Sequence, residues 1–201
     1  YLPPENNKGV EAGVKYELLN ANLSLNAAVF SIVKNNARNA NPDGTYSPVG
    51  NVQVSGGRVN VTGRITPEWQ VFGGYAYMNG VILQGLSYQN GIGNTTGKVP
   101  LNTPRDSANL WTTYTFNETY EIGGGFFYVG QRYANNTNTV VVPAYTRFDL
   151  TAAYKQPTYD VRLNVYNLFN SIYYDGVIAS DGGRAVMGAG TTGMITLNYR
   201  L

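Results

Sequence analysis

Apolar and polar residues alternate along most of this chain, and the alternation has the two-residue period of a β-strand. In the strand that begins at Tyr159, Val161 and Leu163 lie on one face, while Arg162 and Asn164 lie on the other. Because successive side chains of a strand point to opposite faces, this pattern predicts a sheet with one apolar and one polar side. The fold class then depends on what each side faces.

The alternation predicts an all-β chain of about nine strands with almost no helix. The predicted strands are approximately Gly9–Leu18, Leu23–Asn36, Val49–Ile65, Trp69–Val81, Asp106–Phe116, Tyr120–Tyr128, Tyr145–Tyr154, the strand from Tyr159, and Gly193–Leu201. Their connections alternate between short turns, such as Thr66–Glu68 and Asn117–Thr119, and long polar loops, such as Ala40–Pro48. Short turns on one side and long loops on the other are typical of an antiparallel transmembrane β-barrel.

Aromatic residues gather at both ends of the predicted strands. Near the short turns are Tyr16, Trp69, Phe116, Tyr120, Tyr154, Tyr159 and Tyr199. Toward the long loops are Tyr75, Tyr77, Tyr128, Tyr145 and Tyr166. Two aromatic belts favour the membrane barrel. A soluble β-sandwich or jelly roll is the alternative, but its connections would not sort by length and its outer faces would carry more lysine and glutamate.

Composition supports the membrane barrel and excludes several function classes. Only 13% of the 201 residues are charged, against about 25% in soluble domains. The formal net charge of +2 is too small to indicate a nucleic-acid surface. The sequence has no cysteine and no histidine, which removes disulfides, thiolate metal sites and the commonest general base. We therefore predict neither an enzyme nor a metal site.

Polar residues at alternate positions predict a wet barrel interior. Arg147 and Asp149 share a face of one predicted strand, as Arg162 and Asn164 share a face of the next. Such residues are costly toward lipid but normal toward a polar lumen. Trp111 is expected to point inward as well, because its neighbours continue the opposite phase.

The direction of the strands predicts an incomplete barrel. The first strand runs toward a short turn, and the last runs from a long loop, so both run toward the short-turn side. Antiparallel closure between them is impossible with nine strands, and an open edge in lipid is not viable. Either the count is wrong by one, or the chain is the C-terminal part of a larger barrel. A start without a signal peptide favours the second interpretation.

Several segments resemble TonB-dependent outer-membrane siderophore receptors. The segment LNVYNLFNSIYYDG (Leu163–Gly176) resembles their penultimate-strand motif, in which Asn-Leu-Phe-Asp/Asn precedes paired tyrosines. Four other segments resemble members of this family in the same order: Leu2–Phe30, Ser55–Tyr77, Gly97–Tyr114 and Gly183–Leu201. The resemblance covers nearly the whole chain and is greatest to the catecholate type.

This resemblance implies that residues 1–201 are the C-terminal portion of a 22-stranded barrel in the outer membrane of a Gram-negative bacterium. The parent protein would import ferric siderophores with energy delivered through TonB, and iron would enter only as the siderophore chelate, without a cofactor. Its partners would be the siderophore, the plug domain, the TonB complex reached through an N-terminal region, lipid and lipopolysaccharide. The chain departs from the family at Leu201, where an aromatic residue is usual, and in lacking the plug domain and the TonB-contacting segment. The competing classes are a passive porin or a structural outer-membrane barrel without a plug, and a soluble carbohydrate-binding β-domain.

The implied ligand, an anionic and aromatic ferric catecholate, predicts capture by Arg and Lys donors and by aromatic rings near the long loops. The candidates are Arg132, Tyr133, Arg105, Arg38, Tyr46, Tyr88, Lys98, Tyr173, Tyr174 and Arg184. Arg132 and Tyr133 rank first because they directly follow a strand end, and Arg105 ranks next. Each tyrosine could instead pack in a belt or loop. Each arginine could instead form a lumen ion pair or contact a lipopolysaccharide phosphate.

Overall fold

Within residues 2–40, 44–87, 93–178 and 182–200, which the computed structural model describes, there are thirteen β-strands, and nine of them form one antiparallel sheet. The strands are β1 (Asn6–Leu18), β2 (Leu23–Ala40), β3 (Tyr46–Arg64), β4 (Trp69–Gln84), β5 (Asp106–Phe116), β6 (Tyr120–Val129), β7 (Arg132–Tyr133), β8 (Val141–Val142), β9 (Tyr145–Lys155), β10 (Tyr159–Tyr166), β11 (Tyr174–Ile178), β12 (Arg184–Met187) and β13 (Thr192–Tyr199). The sheet has the order β1-β2-β3-β4-β5-β6-β9-β10-β13, which confirms the predicted set of nine strands. No helix in these described ranges is long and apolar enough to cross a membrane.

Two features of the strands differ from the prediction. The strands β2, β3 and β4 run 18, 19 and 16 residues, further toward the long-loop side than expected, because cross-strand pairing continues through their polar ends. The predicted loops also contain two small ribbons, β7 with β8 and β11 with β12. These ribbons are too short for alternation to reveal them.

The short turns use left-handed backbone conformations that suit tight antiparallel hairpins. Asn117 and Glu118, between β5 and β6, have φ of 47° and 58°. The amide of Thr119 donates to the carbonyl of Phe116 at 3.0 Å and closes the turn. Two consecutive positive φ values match the right-handed twist of the flanking strands.

The sheet has one apolar and one polar face, as alternation predicted. The pairing register places Leu25, Val61, Leu110 and Phe126 in one row across β2, β3, β5 and β6, on the apolar face, which we call the outer face. On the opposite face, which we call the lumen face, Arg162 of β10 donates to Glu121 and to Thr151. Leu163, beside Arg162, lies on the outer face and is 43% exposed.

Aromatic rings form a belt on the short-turn side. The ring centroids of Tyr114 and Phe116 are 4.7 Å apart, those of Tyr120 and Tyr154 are 5.3 Å apart, and those of Tyr154 and Tyr159 are 6.2 Å apart. These rings lie on the outer face at the ends of four strands, β5, β6, β9 and β10. The predicted belt at the short turns is therefore confirmed.

The long-loop side differs from the prediction at Tyr145 and at Tyr166, which shares the lumen phase of Arg162 and Asn164 on β10. Tyr75 and Tyr77 lie on the outer face, whereas Tyr145 shares the lumen face with Arg147, two residues further along β9. The ring centroid of Tyr145 is 4.8 Å from that of Tyr173, a residue that is 5% exposed. Tyr145 is therefore part of the lumen and loop packing rather than of the outer belt.

The sheet does not close on itself. Among the described residues, β1 pairs with β2 alone and β13 pairs with β10 alone. Both edge strands run toward the short-turn side, so they cannot pair with each other in antiparallel fashion. The structure is thus a sector of a barrel with two open edges.

Candidate functional site

Asparagine side chains join the long connections into one packed layer above the sheet. Asn138 accepts from the amide of Val99 at 2.9 Å and donates to the carbonyl of Val99 at 2.7 Å. Asn136 accepts from the amide of Leu101 at 2.9 Å. Because a primary amide offers both a donor and an acceptor, it can replace a peptide partner in irregular backbone. The β6–β9 connection is thereby fixed to the β4–β5 connection.

Arg132 lies at the centre of this layer. Its Nε donates to Oδ1 of Asn102 at 2.9 Å, and one terminal nitrogen donates to the carbonyl of Tyr174 at 2.8 Å. Its guanidinium carbon is 5.9 Å from the ring centroid of Tyr145. Arg132 is only 3% exposed, and among the described residues its Nη1 is buried without a hydrogen-bond partner. Arg132 therefore links three connections of the chain.

A second arginine lies on the lumen face of β9. The Nε and Nη2 atoms of Arg147 donate to the two carboxylate oxygens of Asp149 at 3.1 and 2.8 Å. Its Nη1 donates to the hydroxyl of Tyr173 at 3.3 Å, and its guanidinium carbon is 5.1 Å from the ring centroid of Phe127. A guanidinium held by a carboxylate and covered by rings is fixed in orientation.

The ring of Tyr173 fits against a residue that has no side chain. A Cβ atom placed at Gly188 would overlap the ring of Tyr173. The amide of Gly188 donates to the carbonyl of Tyr173 at 2.9 Å, which holds the two segments together. The start and the end of the last long connection therefore pack against each other.

We expect Gly188→Ala, made in the full-length parent, to displace Tyr173 and loosen this connection. Overpacking of this kind costs about 1–3 kcal/mol, so proteolytic cleavage within residues 171–191 should become about tenfold faster. Adding Gly188→Ala to Tyr173→Ala should have no further effect, because the clash is then gone. The control is Gly176→Ala, whose Cβ would meet Val186 at an ordinary 3.6 Å. Equal cleavage rates in Gly188→Ala and Gly176→Ala would contradict the proposed fit.

Asn167, the first residue of the NLFN motif, connects β10 to both ends of the last connection. Its Nδ2 donates to the carbonyls of Ser171 at 2.9 Å and Ala189 at 3.0 Å, and its Oδ1 accepts from the amide of Ser171 at 2.8 Å. Its own amide donates to Asp149 at 2.8 Å. Asn167 is 1% exposed and has a φ of 53°, a conformation that asparagine tolerates well. The motif therefore organises the loop.

The structure brings five of the predicted ligand residues into the packed layer. Arg132 contacts the backbone of Tyr174 and lies beside the ring stack that includes Tyr173. The carbonyl of Tyr133 accepts from the amide of Asn102, and the carbonyl of Lys98 accepts from the amide of Ile82. Their role in ligand binding stays a prediction. The burial of Arg132 and Tyr173 assigns both a structural part as well.

The four other predicted residues that the structure describes are exposed. Arg38 and Tyr46 are exposed near the end of the β2–β3 hairpin, and Arg184 is exposed in β12. The guanidinium of Arg105 lies over Tyr77 on the outer face. Tyr88 is outside the described residues. Among the described candidates, Arg38, Tyr46 and Arg105 do not form one cluster with Arg132.

An ion pair lies near Arg38, at the end of the β1–β2 hairpin that is opposite its turn. Lys34 contacts Oε2 of Glu5 at 2.6 Å, and the backbone amide of Arg38 donates to Oε1 at 3.2 Å. The hydrogen bond from Lys34 is the main cause that holds the pKa of the Glu5 carboxyl below its ordinary value. Glu5 therefore stays ionised, and it neutralises part of the positive charge at this end.

Residues missed as ligand candidates complete the aromatic cluster. Tyr145 and Arg147 are two residues apart, as are any two neighbours on one face of a strand, so their spacing does not indicate a ligand site. The only sequence signal for them was the pattern Tyr-x-Arg-x-Asp on one face of β9. Phe127 was expected only to belong to a strand. The rings of Tyr145, Phe127 and Tyr173 form a lumen-facing group around the guanidiniums of Arg132 and Arg147.

The lower lumen face holds a second charged group. Glu121 contacts Nζ of Lys155 at 2.6 Å and Nη1 of Arg162 at 2.7 Å. Beside it, Trp111 and Phe72 line a depression of about 540 Å³ together with Glu121 and Arg162. The prediction that Trp111 points inward is confirmed.

The model of the family described as "TonB dependent receptor-like, beta-barrel" matches residues 1–168. The chain belongs to this family. The fold agrees with this match, because an open nine-stranded sheet with an apolar outer face forms part of such a barrel. The matched range includes the strands β1 to β10 and ends at Leu168, within the NLFN segment.

Relatives of the chain are named siderophore receptors. The probable TonB-dependent siderophore receptor PiuA of Acinetobacter baumannii is 31% identical over 99% of this chain, and the catecholate siderophore receptor Fiu of Escherichia coli K12 is 33% identical over 97%. The crystal structure of PiuA matches 96% of this chain and 28% of that chain with a TM-score of 0.86. The closed form of Fiu matches 98% of this chain and 28% of that chain with a TM-score of 0.79. This chain spans about a quarter of the curated relatives, 27% of PiuA and 26% of Fiu.

Proposed function

We propose that the chain is the C-terminal barrel portion of an outer-membrane receptor that takes up ferric siderophores with energy from TonB. The observation that carries this proposal is the match along nearly the whole chain, at 31–33% identity, to receptors named for siderophores. A receptor is also what the chemistry favours, because no histidine or cysteine is present for catalysis.

The ligand-facing chemistry suits an anionic, aromatic ferric chelate. Arg147 and the rings of Tyr145 and Phe127 line the upper lumen face, where a catecholate would stack on aromatic or guanidinium planes, and the buried ring of Tyr173 supports them. Arg132 holds together the packed layer of long connections above them. We assign contact with the ligand to these rings and to those predicted cationic residues whose side chains are exposed. We assign to Arg132 the role of holding the packed layer in position.

The remaining parts of the proposal follow from the family. The barrel would lie in the outer membrane of a Gram-negative bacterium, with lipid and lipopolysaccharide on its outer face. A plug domain would occupy the lumen, and an N-terminal region would reach the TonB complex. Iron would be carried as the siderophore chelate.

Deleting the parent gene from a strain that lacks other iron receptors is expected to abolish uptake of a radiolabelled ferric catecholate siderophore. Uptake should return with the full-length gene and should fail again when the tonB gene is deleted. The measurement is cell-associated ⁵⁵Fe across a panel of ferric catecholates, hydroxamates and citrate.

Two outcomes would contradict the proposal. Uptake that persists without TonB would favour a passive porin, which needs no energy coupling. Unchanged uptake of every chelate after the deletion would exclude a siderophore receptor. Uptake of a hydroxamate alone would keep the receptor and overturn the catecholate subtype.

A further inference from the structure

Two aromatic side chains on the lumen face have no part in the packed layer of long connections or in the ring group around Arg147. Phe72 of β4 and Trp111 of β5 are directly paired, so both point to the same face. Phe72 is 51% exposed and Trp111 is half-buried, although polar side chains surround them. Exposed rings within a polar interior indicate a contact that the sheet itself does not supply. We call this pair the lower platform.

The wall of the sheet holds the indole of Trp111 in place. Trp111 is paired with Gly125 of β6, and a Cβ atom placed at Gly125 would lie 2.9 Å from Cε3 of the indole. The absence of a side chain at residue 125 therefore lets the indole lie against the backbone of β6. Trp111 still lines the open depression described above, so its ring remains available to a ligand.

The lower platform lies directly below the ring group around Arg147, which we call the upper group. Phe127 of the upper group pairs with Arg147, and Gly125, two residues earlier on β6, pairs with Trp111. Because a strand rises about 3.3 Å per residue, Trp111 is one row, about 7 Å, nearer to the short turns. Rings therefore descend the lumen wall from Tyr145 through Phe127 to the lower platform.

Cations surround the lower platform as they do the upper group. Arg64 and Arg162 line the same depression, together with the carboxylate of Glu121. Glu121 also contacts Lys155, so three cations adjoin this one carboxylate and the depression has an excess of positive charge. Its volume of about 540 Å³ is within the range of about 300–1,000 Å³ for small-molecule sites. The chemistry suits an anionic ligand with aromatic rings.

We propose that the lower platform is a transfer site, which holds the ferric chelate after it leaves the upper group and before it enters the periplasm. The inference rests on the proposed function, because it assigns a second contact to the same anionic, aromatic ligand. Passage requires sites that bind well enough to admit a ligand and weakly enough to release it. Two rings beside guanidiniums, on an open wall, meet both requirements.

The plug domain is the other candidate for this contact. A plug in the lumen would cover the wall at rest, so the transfer site is used only during energised transport, when the plug makes way. The chelate is favoured because the lower platform repeats the combination of rings and guanidinium in the upper group, one row below it. A transfer site also predicts an effect on the rate of passage without an effect on external binding.

The test separates external binding from passage in the full-length parent, in a strain that lacks other iron receptors. The probe is the ⁵⁵Fe(III) complex of 2,3-dihydroxybenzoate. Binding of the probe to energy-depleted cells on ice gives the external Kd. The initial rate of uptake by energised cells at saturating probe gives the maximal rate per receptor.

The variants change the ring and keep an apolar side chain. Trp111→Leu removes the indole, and Trp111→Phe keeps a ring at the same position. The control is Trp69→Leu, at the other tryptophan of the chain, which is paired with Tyr114 on the outer face. We expect Trp111→Leu to lower the maximal rate about fivefold or more at an unchanged external Kd, because a stacking contact is lost. Trp111→Phe and Trp69→Leu should keep most of the wild-type rate.

Three outcomes would overturn the transfer site alone. One is an equal loss of rate in Trp111→Leu and Trp111→Phe, or no loss in either, which would leave the indole with a packing role. Another is a raised external Kd in Trp111→Leu, which would place the contact in the external site. The third is sensitivity of Trp111→Leu cells to vancomycin, a polar antibiotic too large for a plugged barrel, which would indicate a plug contact. Failure of the wild type to take up the probe would overturn the catecholate part of the proposed function together with this inference.

Discussion

Leu163→Arg in the full-length parent is expected to destabilise the barrel by about 2–4 kcal/mol, because it places a charge on the lipid-facing side near the middle of β10. Leu163 lies between Ala152 of β9 and Ile195 of β13 on the outer face. An arginine there has no lumen water or carboxylate to solvate it. The fraction folded in lipid vesicles across a urea titration, read from heat-modifiable gel mobility, measures this effect.

The matched control is Asn164→Arg, one residue further along the same strand. Asn164 is paired with Thr151 of β9 and points into the polar lumen, where an added guanidinium stays hydrated. We expect its urea midpoint to remain close to that of the wild type. An equal or larger loss in Asn164→Arg would reverse the assignment of the two faces.

Asn167→Ala is expected to lower the free energy needed to open the last external connection by about 3–5 kcal/mol. The change removes two hydrogen bonds donated by Nδ2, each worth about 1 kcal/mol, and leaves the part-buried amide of Ser171 without a partner, which costs about 1–3 kcal/mol more. Hydrogen exchange of residues 171–191 should therefore accelerate about a hundredfold or more, while exchange in β5 and β6 stays unchanged.

Asn170→Ala is the control for the backbone contribution. Asn170 has a φ of 50°, close to the 53° of Asn167, but it is exposed and its side chain accepts one amide, that of Thr191. Both variants therefore lose the tolerance of asparagine for a left-handed backbone, and only one loses the buried hydrogen bonds. Similar exchange rates in the two variants would show that Asn167 acts through its backbone alone.

Alternation predicted the strands and their faces because it reports a local property of the backbone. Arg162 and Trp111 were assigned to the lumen from their phase alone, and the ion pair of Arg162 with Glu121 agrees with that assignment. The incomplete closure followed from the direction of the first and last strands. These features depend on period and on turn length, both of which are visible in a single sequence.

The packed layer of long connections could not be predicted in the same way. Arg105 precedes the first residue of β5, so its phase does not fix its face, and its long side chain reaches over Tyr77 on the outside. Tyr145 begins β9 and was placed by position along the strand rather than by phase. The partners of Arg132 are 30 and 42 residues away in sequence, and no local pattern identifies contacts of that range.

Nitroxide scanning of β10 in the full-length parent tests the central claim most directly, namely that the apolar face meets lipid and the polar face meets a wet lumen. Single cysteines at Val161, Arg162, Leu163, Asn164 and Val165 can be labelled without interference from this portion, which has no cysteine of its own. In lipid vesicles, collision with oxygen should be high at the three apolar positions, and collision with a water-soluble nickel chelate should be high at Arg162 and Asn164. An alternation with the opposite phase, or equal accessibility to the nickel chelate at all five positions, would contradict the barrel assignment.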